Sequence, residues 1–246
     1  MYTSKVLVVY CGGTFGMTGT PLQPNTLEDL IALAGDEVPI FTRMFSETGS
    51  CIPVSIEPID SSAATPDDWY EICRKIVGAL VNDKKPFPYQ YRGAVIIHGT
   101  DTLAYTAAAL HYLLSYIPVP IVLTGAQKPL LGHCSDALNN FLGAVDVALY
   151  EYTSSKANIY APGVSVFFNR RLMMGGCLMK LDSLNYNAFD SPRQAYLAVQ
   201  SSIGINIAHN ERESLVQHVE GRPFKLLPKP SSSVVLVRLF PGLNEQ

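Results

Sequence analysis

Short apolar runs alternate with amphipathic stretches along most of the chain. The apolar runs predict five buried strands, at Lys5–Tyr10, Val54–Ile59, Gly93–Ile97, Val119–Leu123 and Gly163–Phe168. The amphipathic stretches predict three helices, at Pro66–Val81, Thr102–Tyr116 and Ser135–Tyr150. Strands that alternate with helices are typical of βαβ units. The pattern therefore predicts an α/β fold with a mostly parallel sheet.

The C-terminal part of the chain has a different pattern. Lys225–Ser233 is rich in proline and serine and predicts a linker, whereas Val234–Leu239 predicts a new strand. We therefore expect one α/β domain over residues 1–224 and a linker over 225–233. Residues 234–246 are then expected to be the first strand of a second, smaller α/β domain that is largely missing from the chain.

The composition of the chain excludes several classes of protein. Of the 246 residues, 48% are hydrophobic and 16% are charged, which excludes intrinsic disorder. The net charge of −3, without clustered Lys or Arg, argues against nucleic-acid and membrane-surface partners. Five widely spaced cysteines without a CxxC pair predict reduced thiols in a cytosol, rather than disulfides or a zinc site. No apolar run is long enough to predict a membrane span.

Polar clusters follow the predicted strands. They lie at Gly12–Thr14, Asp60–Ser61, Thr100–Asp101 and Thr124–Gly125. Ligands of parallel α/β sheets bind outside the carboxyl ends of the strands. The four clusters therefore predict one site at one edge of the sheet.

Thr14 and Thr100 are the candidate reactive residues in these clusters, and Asp101 follows the second. A threonine hydroxyl is a weak acid and needs a base to become a nucleophile. A lysine held neutral and positioned by a carboxylate supplies such a base. A single threonine near a turn is more often a backbone cap or an ST-turn. Two threonines beside glycines change that balance, but the residue types alone leave both interpretations open. His98 has no second ligand at metal-binding spacing, and we expect no metal site.

Six segments, in this order, resemble motifs of the L-asparaginase/glutaminase family. They are Tyr10–Met17, Ile59–Trp69, Val95–Leu103, Pro120–Gln127, Ser135–Ala144 and Asn187–Pro192. The resemblance is closest to the cytosolic bacterial type I enzymes and to the N-terminal domain of animal asparaginase/lysophospholipase proteins. It implies the flavodoxin-like N-terminal catalytic domain of that family, with helices on both faces of the sheet.

The resemblance also implies a reaction, the hydrolysis of L-asparagine to aspartate and ammonia through an acyl-threonine. Thr14 would be the nucleophile, and Thr100, Asp101 and Lys180 would support it. The substrate would be bound by Asp60, Ser61, Gly99 and Ala126. The family implies no cofactor, a cytoplasmic location and a homodimer or homotetramer, with asparagine as the small-molecule partner.

Two positions depart from the family pattern, and two other functions stay open. Leu22 stands where many bacterial members carry a loop tyrosine, and Met179 replaces a threonine linked to allosteric asparagine binding, so we expect no allostery. One alternative is the glutamine-hydrolysing subunit of a tRNA amidotransferase, which would carry an extra N-terminal domain. The other is a non-catalytic amino-acid-binding domain. The sequence leaves the preference between asparagine and glutamine open.

Overall fold

The computed structural model describes residues 5–80, 91–149, 162–208, 219–231, 233–234 and 241. The helices are α1 (Leu27–Ala34), α2 (Pro39–Met44), α3 (Pro66–Leu80), α4 (Leu103–Leu113) and α5 (Ala137–Leu149). The strands are β1 (Val6–Tyr10), β2 (Cys51–Val54), β3 (Ala94–Ile97), β4 (Leu114–Ser115), β5 (Pro120–Thr124), β6 (Gly163–Phe168), β7 (Arg171–Met174), β8 (Met179–Lys180), β9 (Phe189–Asp190), β10 (Ala198–Ser201), β11 (Gly204–Ile207) and β12 (Lys225–Leu226).

Eight of the strands form one sheet in the order β11-β10-β7-β6-β5-β3-β1-β2. The strands from β2 to β6 in that order pair in parallel. The remaining strands, β7, β10 and β11, extend the sheet in antiparallel pairs. The parallel part has the order of the flavodoxin-like fold. The prediction of a mostly parallel α/β sheet is confirmed.

Helices cover both faces of the sheet. Alternate side chains of β1 point to opposite faces, so that Val6 and Val8 enter one core and Leu7 and Val9 enter the other. The first core is covered by α1, α2 and α5, and it includes the packed rings of a phenylalanine cluster. The second core is covered by α3 and α4. This arrangement confirms the helices on both faces that the family resemblance implies.

The predicted strand Val54–Ile59 is wrong, because the strand is Cys51–Val54. Its last residue pairs with Val9, one position before β1 ends at Tyr10. The alternating residues after Val54 therefore have almost no partner strand left. Pro58 has no N–H to donate to a ladder, and the Ile59 N–H bonds the Cys11 carbonyl at 2.9 Å. The other four predicted strands agree with the structure to within one residue at each end.

The predicted helix Thr102–Tyr116 is three residues too long at its C-terminal end, where the chain forms β4. The strand β4 pairs with β12, which lies at the start of the predicted linker. Val234 is 79% exposed, and the rest of the predicted strand Val234–Leu239 lies outside the described residues. All five cysteines are free thiols. Within the described ranges, no helix is both long and apolar enough to cross a membrane.

Candidate functional site

The site lies at the carboxyl ends of β1 and β3, which are neighbours in the sheet. The chain leaves β1 toward β2 on one side of the sheet and later returns to β3 on the other side. This reversal of strand order opens a crevice in doubly wound folds. Tyr10 and Ile97 pair at the ends of the two strands. Thr14 and Thr100 therefore follow neighbouring strands into the same crevice.

Three loops touch at this crevice, through Gly13, Gly99 and Ser61. A Cβ atom added to Gly13 would lie 2.3 Å from the Gly99 Cα, and one added to Gly99 would lie 2.3 Å from the Ser61 Oγ. Gly13 also has a positive φ of 88°, which side chains disfavour. Only glycine allows this close approach, and it brings the residues after β1, β2 and β3 together.

Lys180 joins the hydroxyl and the carboxylate that follow β3. Its Nζ donates to the Thr100 Oγ1 at 2.9 Å and to the Asp101 Oδ1 at 2.8 Å. The Thr100 residue is only 8% exposed. The side chains of Lys180 and Asp101 are 18% and 67% exposed. The lysine is thus largely removed from water, while the carboxylate that neutralises it faces solvent.

The short strand β8 holds Lys180 in place. It pairs with β9, where Lys180 lies opposite Phe189. The ring of Phe189 is buried and packs edge-on against Phe168 of β6, with 4.9 Å between ring centroids. The lysine is therefore anchored to the main sheet through an aromatic contact.

Asp60 and Ser61 form the rim of the crevice after β2. The Asp60 carboxylate accepts the Ser62 N–H at 2.9 Å, and this hydrogen bond lowers the pKa of the carboxyl group. Asp60 is exposed and Ser61 is buried. The Thr102 hydroxyl donates to the Ser61 carbonyl at 2.6 Å. The rim therefore presents a fixed anionic carboxylate, tied to the segment that carries Thr100 and Asp101.

The predicted residues do not all touch one another. The structure brings Thr100, Asp101 and Lys180 into direct contact, and it stacks Ser61 against Gly99. Within the described part of the chain, the Thr14 hydroxyl forms no hydrogen bond with the lysine cluster, and Thr14 is linked to it through the backbone contact of Gly13 and Gly99. Ala126 is buried in the turn after β5. Among the described residues, no three His, Cys, Asp or Glu side chains are grouped to hold a metal ion.

The two positions that depart from the family pattern are both near the surface. Leu22 is 47% exposed in the loop after Thr14, where Thr18 and Gln23 pair through both backbone groups. Met179 is 56% exposed beside Lys180 in β8. The absence of allostery that Met179 suggests stays a prediction.

Sequence reasoning missed the role of His98, which it considered only as a metal ligand. The imidazole is 1% exposed. Its Nδ1 donates to the Gly99 carbonyl at 2.8 Å, and its Nε2 accepts from the Thr106 hydroxyl at 3.1 Å. Burial lowers the pKa of His98, so the neutral ring holds the turn that presents Thr100. The sequence did carry a signal for this role, since His98 directly follows an apolar strand and precedes a glycine.

The lowered pKa of His98 predicts a loss of stability in acid. Below the ordinary histidine pKa of 6.5, the unfolded chain takes up a proton that the folded chain does not. The free energy of unfolding should therefore fall as pH decreases, by at most about 1.4 kcal/mol per pH unit from this group. His98→Gln removes this titration, and urea unfolding between about pH 7.5 and 5.5 should show a shallower pH dependence than wild type. The exposed-histidine control His133→Gln should keep the wild-type slope, and equal slopes in all three proteins would contradict the assignment.

These features define a class of protein. It is an α/β domain with flavodoxin-like strand order and a threonine–lysine–aspartate cluster at the point where the strand order reverses. The family model described as Asparaginase, N-terminal matches residues 5–213. The chain belongs to the asparaginase family, and the matched residues correspond to the N-terminal domain of that family.

Individual relatives agree with this assignment. The chain is 33% identical to an L-asparaginase of Dirofilaria immitis, in an alignment that covers 98% of this chain and 41% of that protein. It is 31% identical to an L-asparaginase of Thermococcus kodakarensis, covering 98% of this chain and 66% of that protein. The crystal structure of L-asparaginase I from Vibrio cholerae O1 biovar eltor matches with a TM-score of 0.75 and 31% identity, covering 98% of this chain and 66% of that one. The chain thus spans between about two fifths and two thirds of the length of these relatives.

Proposed function

We propose that the protein is an L-asparagine amidohydrolase that releases aspartate and ammonia through an acyl-threonine intermediate. One observation carries the proposal. The Lys180 ammonium lies within hydrogen-bond distance of both Thr100 and Asp101. These two residues directly follow Gly99, whose contact with Gly13 brings the loop of Thr14 to the same crevice. A hydroxyl, an amine and a carboxylate in this order form a proton relay.

The proposed substrate site suits a zwitterionic amino acid. The exposed Asp60 carboxylate, whose pKa is lowered, is anionic near neutral pH and would bind the α-ammonium group together with Asp101. Ser61 and Gly99 would bind the α-carboxylate. The Ala126 carbonyl would accept a hydrogen bond from the side-chain amide nitrogen. Charge-assisted hydrogen bonds of this kind fix the orientation of a small polar ligand.

The proposed reaction has two steps. First the Thr14 oxygen forms a bond to the amide carbon, and its proton passes by way of Thr100 and the amine form of Lys180 to the leaving nitrogen, which departs as ammonia. Then water attacks the acyl-threonine, the bond to the Thr14 oxygen breaks, and the hydroxyl is restored as aspartate leaves. Asp101 orients Lys180 and stabilises its charged form. Backbone N–H groups near Thr14 and Thr100 would stabilise the oxyanion.

The assembly and the location of the protein belong to the same proposal. We propose a homodimer or homotetramer in the cytoplasm, without nucleic-acid or membrane partners. The five free thiols support a reducing compartment, and the net charge of −3 is unfavourable for the binding of polyanions. Light scattering of the purified chain tests the oligomeric state.

An ammonia-release assay combined with calorimetry tests the proposed function. The 246-residue chain is incubated with L-asparagine and, separately, with L-glutamine. Ammonia from asparagine supports the proposal, whereas a clear preference for glutamine favours the amidotransferase subunit. Asparagine binding without ammonia release identifies a binding domain, and the absence of both binding and turnover contradicts the proposal.

A further inference from the structure

Asn140 is a buried polar residue that sequence reasoning did not single out. It lies on α5 and is 2% exposed. Its Nδ2 donates to the Gly125 carbonyl at 3.0 Å and to the Asp136 Oδ2 at 3.1 Å. Its Oδ1 accepts the Asn169 N–H at 2.9 Å. One side chain therefore joins the turn after β5, the start of α5 and the turn between β6 and β7.

Asp136 holds the other end of the same turn. Its two carboxylate oxygens accept the Gln127 N–H, each at 3.1 Å, and the Oδ1 also accepts the Lys128 N–H at 3.0 Å. Asp136 and Asn140 are four residues apart, which is one helical turn. Together they hold the peptide groups on both sides of Ala126.

These hydrogen bonds determine the direction of the Ala126 backbone. In a trans peptide unit, the C=O and the N–H point in opposite directions. The Gly125 C=O points to Asn140, so the Ala126 N–H points away from it. The Gln127 N–H points to Asp136, so the Ala126 C=O points away from Asp136. Both backbone groups of Ala126 are therefore directed to the side opposite these two residues.

Only an amide side chain satisfies all three partners of Asn140. The Gly125 carbonyl and the Asp136 carboxylate require a donor, whereas the Asn169 N–H requires an acceptor. Asn169 and Arg170 form a tight turn with positive φ angles of 45° and 64°, and this turn fixes the position of the Asn169 N–H that donates to Asn140. Loss of the donor would leave the buried Gly125 carbonyl without this partner, which is costly.

We propose that Asn140 is a positioning residue for substrate recognition. By holding the Gly125 carbonyl, with Asp136 holding the Gln127 N–H, it aims the Ala126 carbonyl at the side-chain amide nitrogen of the substrate. This inference rests on the proposed function, since it assigns an orienting group to the same site. Asn140 would therefore affect recognition of the side-chain amide of the ligand, and not recognition of its α-ammonium or α-carboxylate group.

The variant Asn140→Asp tests the inference with little change in volume. It removes the donor and places a second carboxylate beside that of Asp136. The KM for asparagine should rise about tenfold, the cost of one misplaced hydrogen bond, while kcat stays within about threefold of wild type. Lowering the pH should reduce the KM difference, because the introduced carboxyl group regains a donor when it is protonated. Asn139→Asp is the matched control, since Asn139 is the exposed neighbour and receives the same charge change.

Calorimetry separates a positioning role from general damage to the site. Both proteins, wild type and Asn140→Asp, are measured in a Thr14→Ala background, in which asparagine is not turned over. Aspartate lacks the amide nitrogen, so Asn140→Asp should weaken asparagine binding about tenfold and leave aspartate binding unchanged. If Asn140→Asp does not fold, Asn140→Ser removes the reach to Gly125 without adding charge and should show the same selective loss. Equal weakening of both ligands, or behaviour identical to Asn139→Asp, would overturn the inference. A wild-type protein that binds asparagine but releases no ammonia would overturn the proposed function alone, because the binding comparison still tests Asn140.

Discussion

Replacement of Thr14 by alanine should abolish ammonia release from asparagine and lower kcat by about four orders of magnitude or more. Without the hydroxyl, no covalent bond to the amide carbon can form, and direct attack by water lacks an activated nucleophile. The fold should persist, because the described structure gives the Thr14 hydroxyl no hydrogen bond to lose and the neighbouring Gly13–Gly99 contact involves only backbone. Steady-state ammonia release and thermal unfolding of the variant measure the two effects separately.

Two further variants make the Thr14 experiment specific. Thr14→Ser keeps a hydroxyl on the same carbon and should retain measurable turnover. Thr48→Ala removes a threonine hydroxyl from an exposed turn and should be fully active. Incubation of Thr14→Ser with asparagine, followed by rapid acid quench and mass spectrometry, should detect an acyl adduct on residue 14. Full activity of Thr14→Ala would exclude the acyl-threonine mechanism.

Replacement of Lys180 by methionine should lower kcat about 10²- to 10⁴-fold, the usual contribution of a positioned acid–base group. Methionine fills a similar volume but accepts no proton, so the Thr100 hydroxyl loses its relay partner. Asparagine affinity, measured by calorimetry, should change much less than kcat. Lys180→Arg should not restore activity, because a guanidinium stays protonated. Lys75→Met, on the exposed side of α3, is the matched control.

A double variant tests whether Lys180 and Thr100 act as one unit. Thr100→Val alone should impair kcat to a similar extent. Residues that act in one relay give strongly non-additive losses, so Lys180→Met combined with Thr100→Val should be little worse than either single variant. Additive losses, or substantial activity in Lys180→Arg, would mean that the lysine contributes only its charge.

Apolar periodicity was sufficient to predict four of the five parallel strands of the main sheet, but it did not predict the antiparallel strands β7, β10 and β11. The five-residue run that forms β1 is buried along its whole length, as a strand covered on both faces is expected to be. The same signal failed at Val54–Ile59. There the alternation continues, but the neighbouring strand ends, and the end of a neighbour is not visible in the local sequence.

The candidate site was predictable only in part. Thr100 and Asp101 are adjacent in the sequence and follow a strand, so their shared location followed from the pattern. Lys180 is about 80 residues away on a two-residue strand, and only the family resemblance pointed to it. Asn140 and Asp136 were missed because a polar residue in an amphipathic helix looks solvent-facing until its backbone partners at residues 125–128 are known.

The contact of Gly13, Gly99 and Ser61 limits how this crevice can be redesigned. A methyl group at either glycine would occupy the same space as backbone or side-chain atoms of the facing loop. Directed-evolution libraries that aim at a different amide should therefore leave positions 13 and 99 unchanged. Diversity is better placed at the solvent-facing rim, where Asp60 is already exposed.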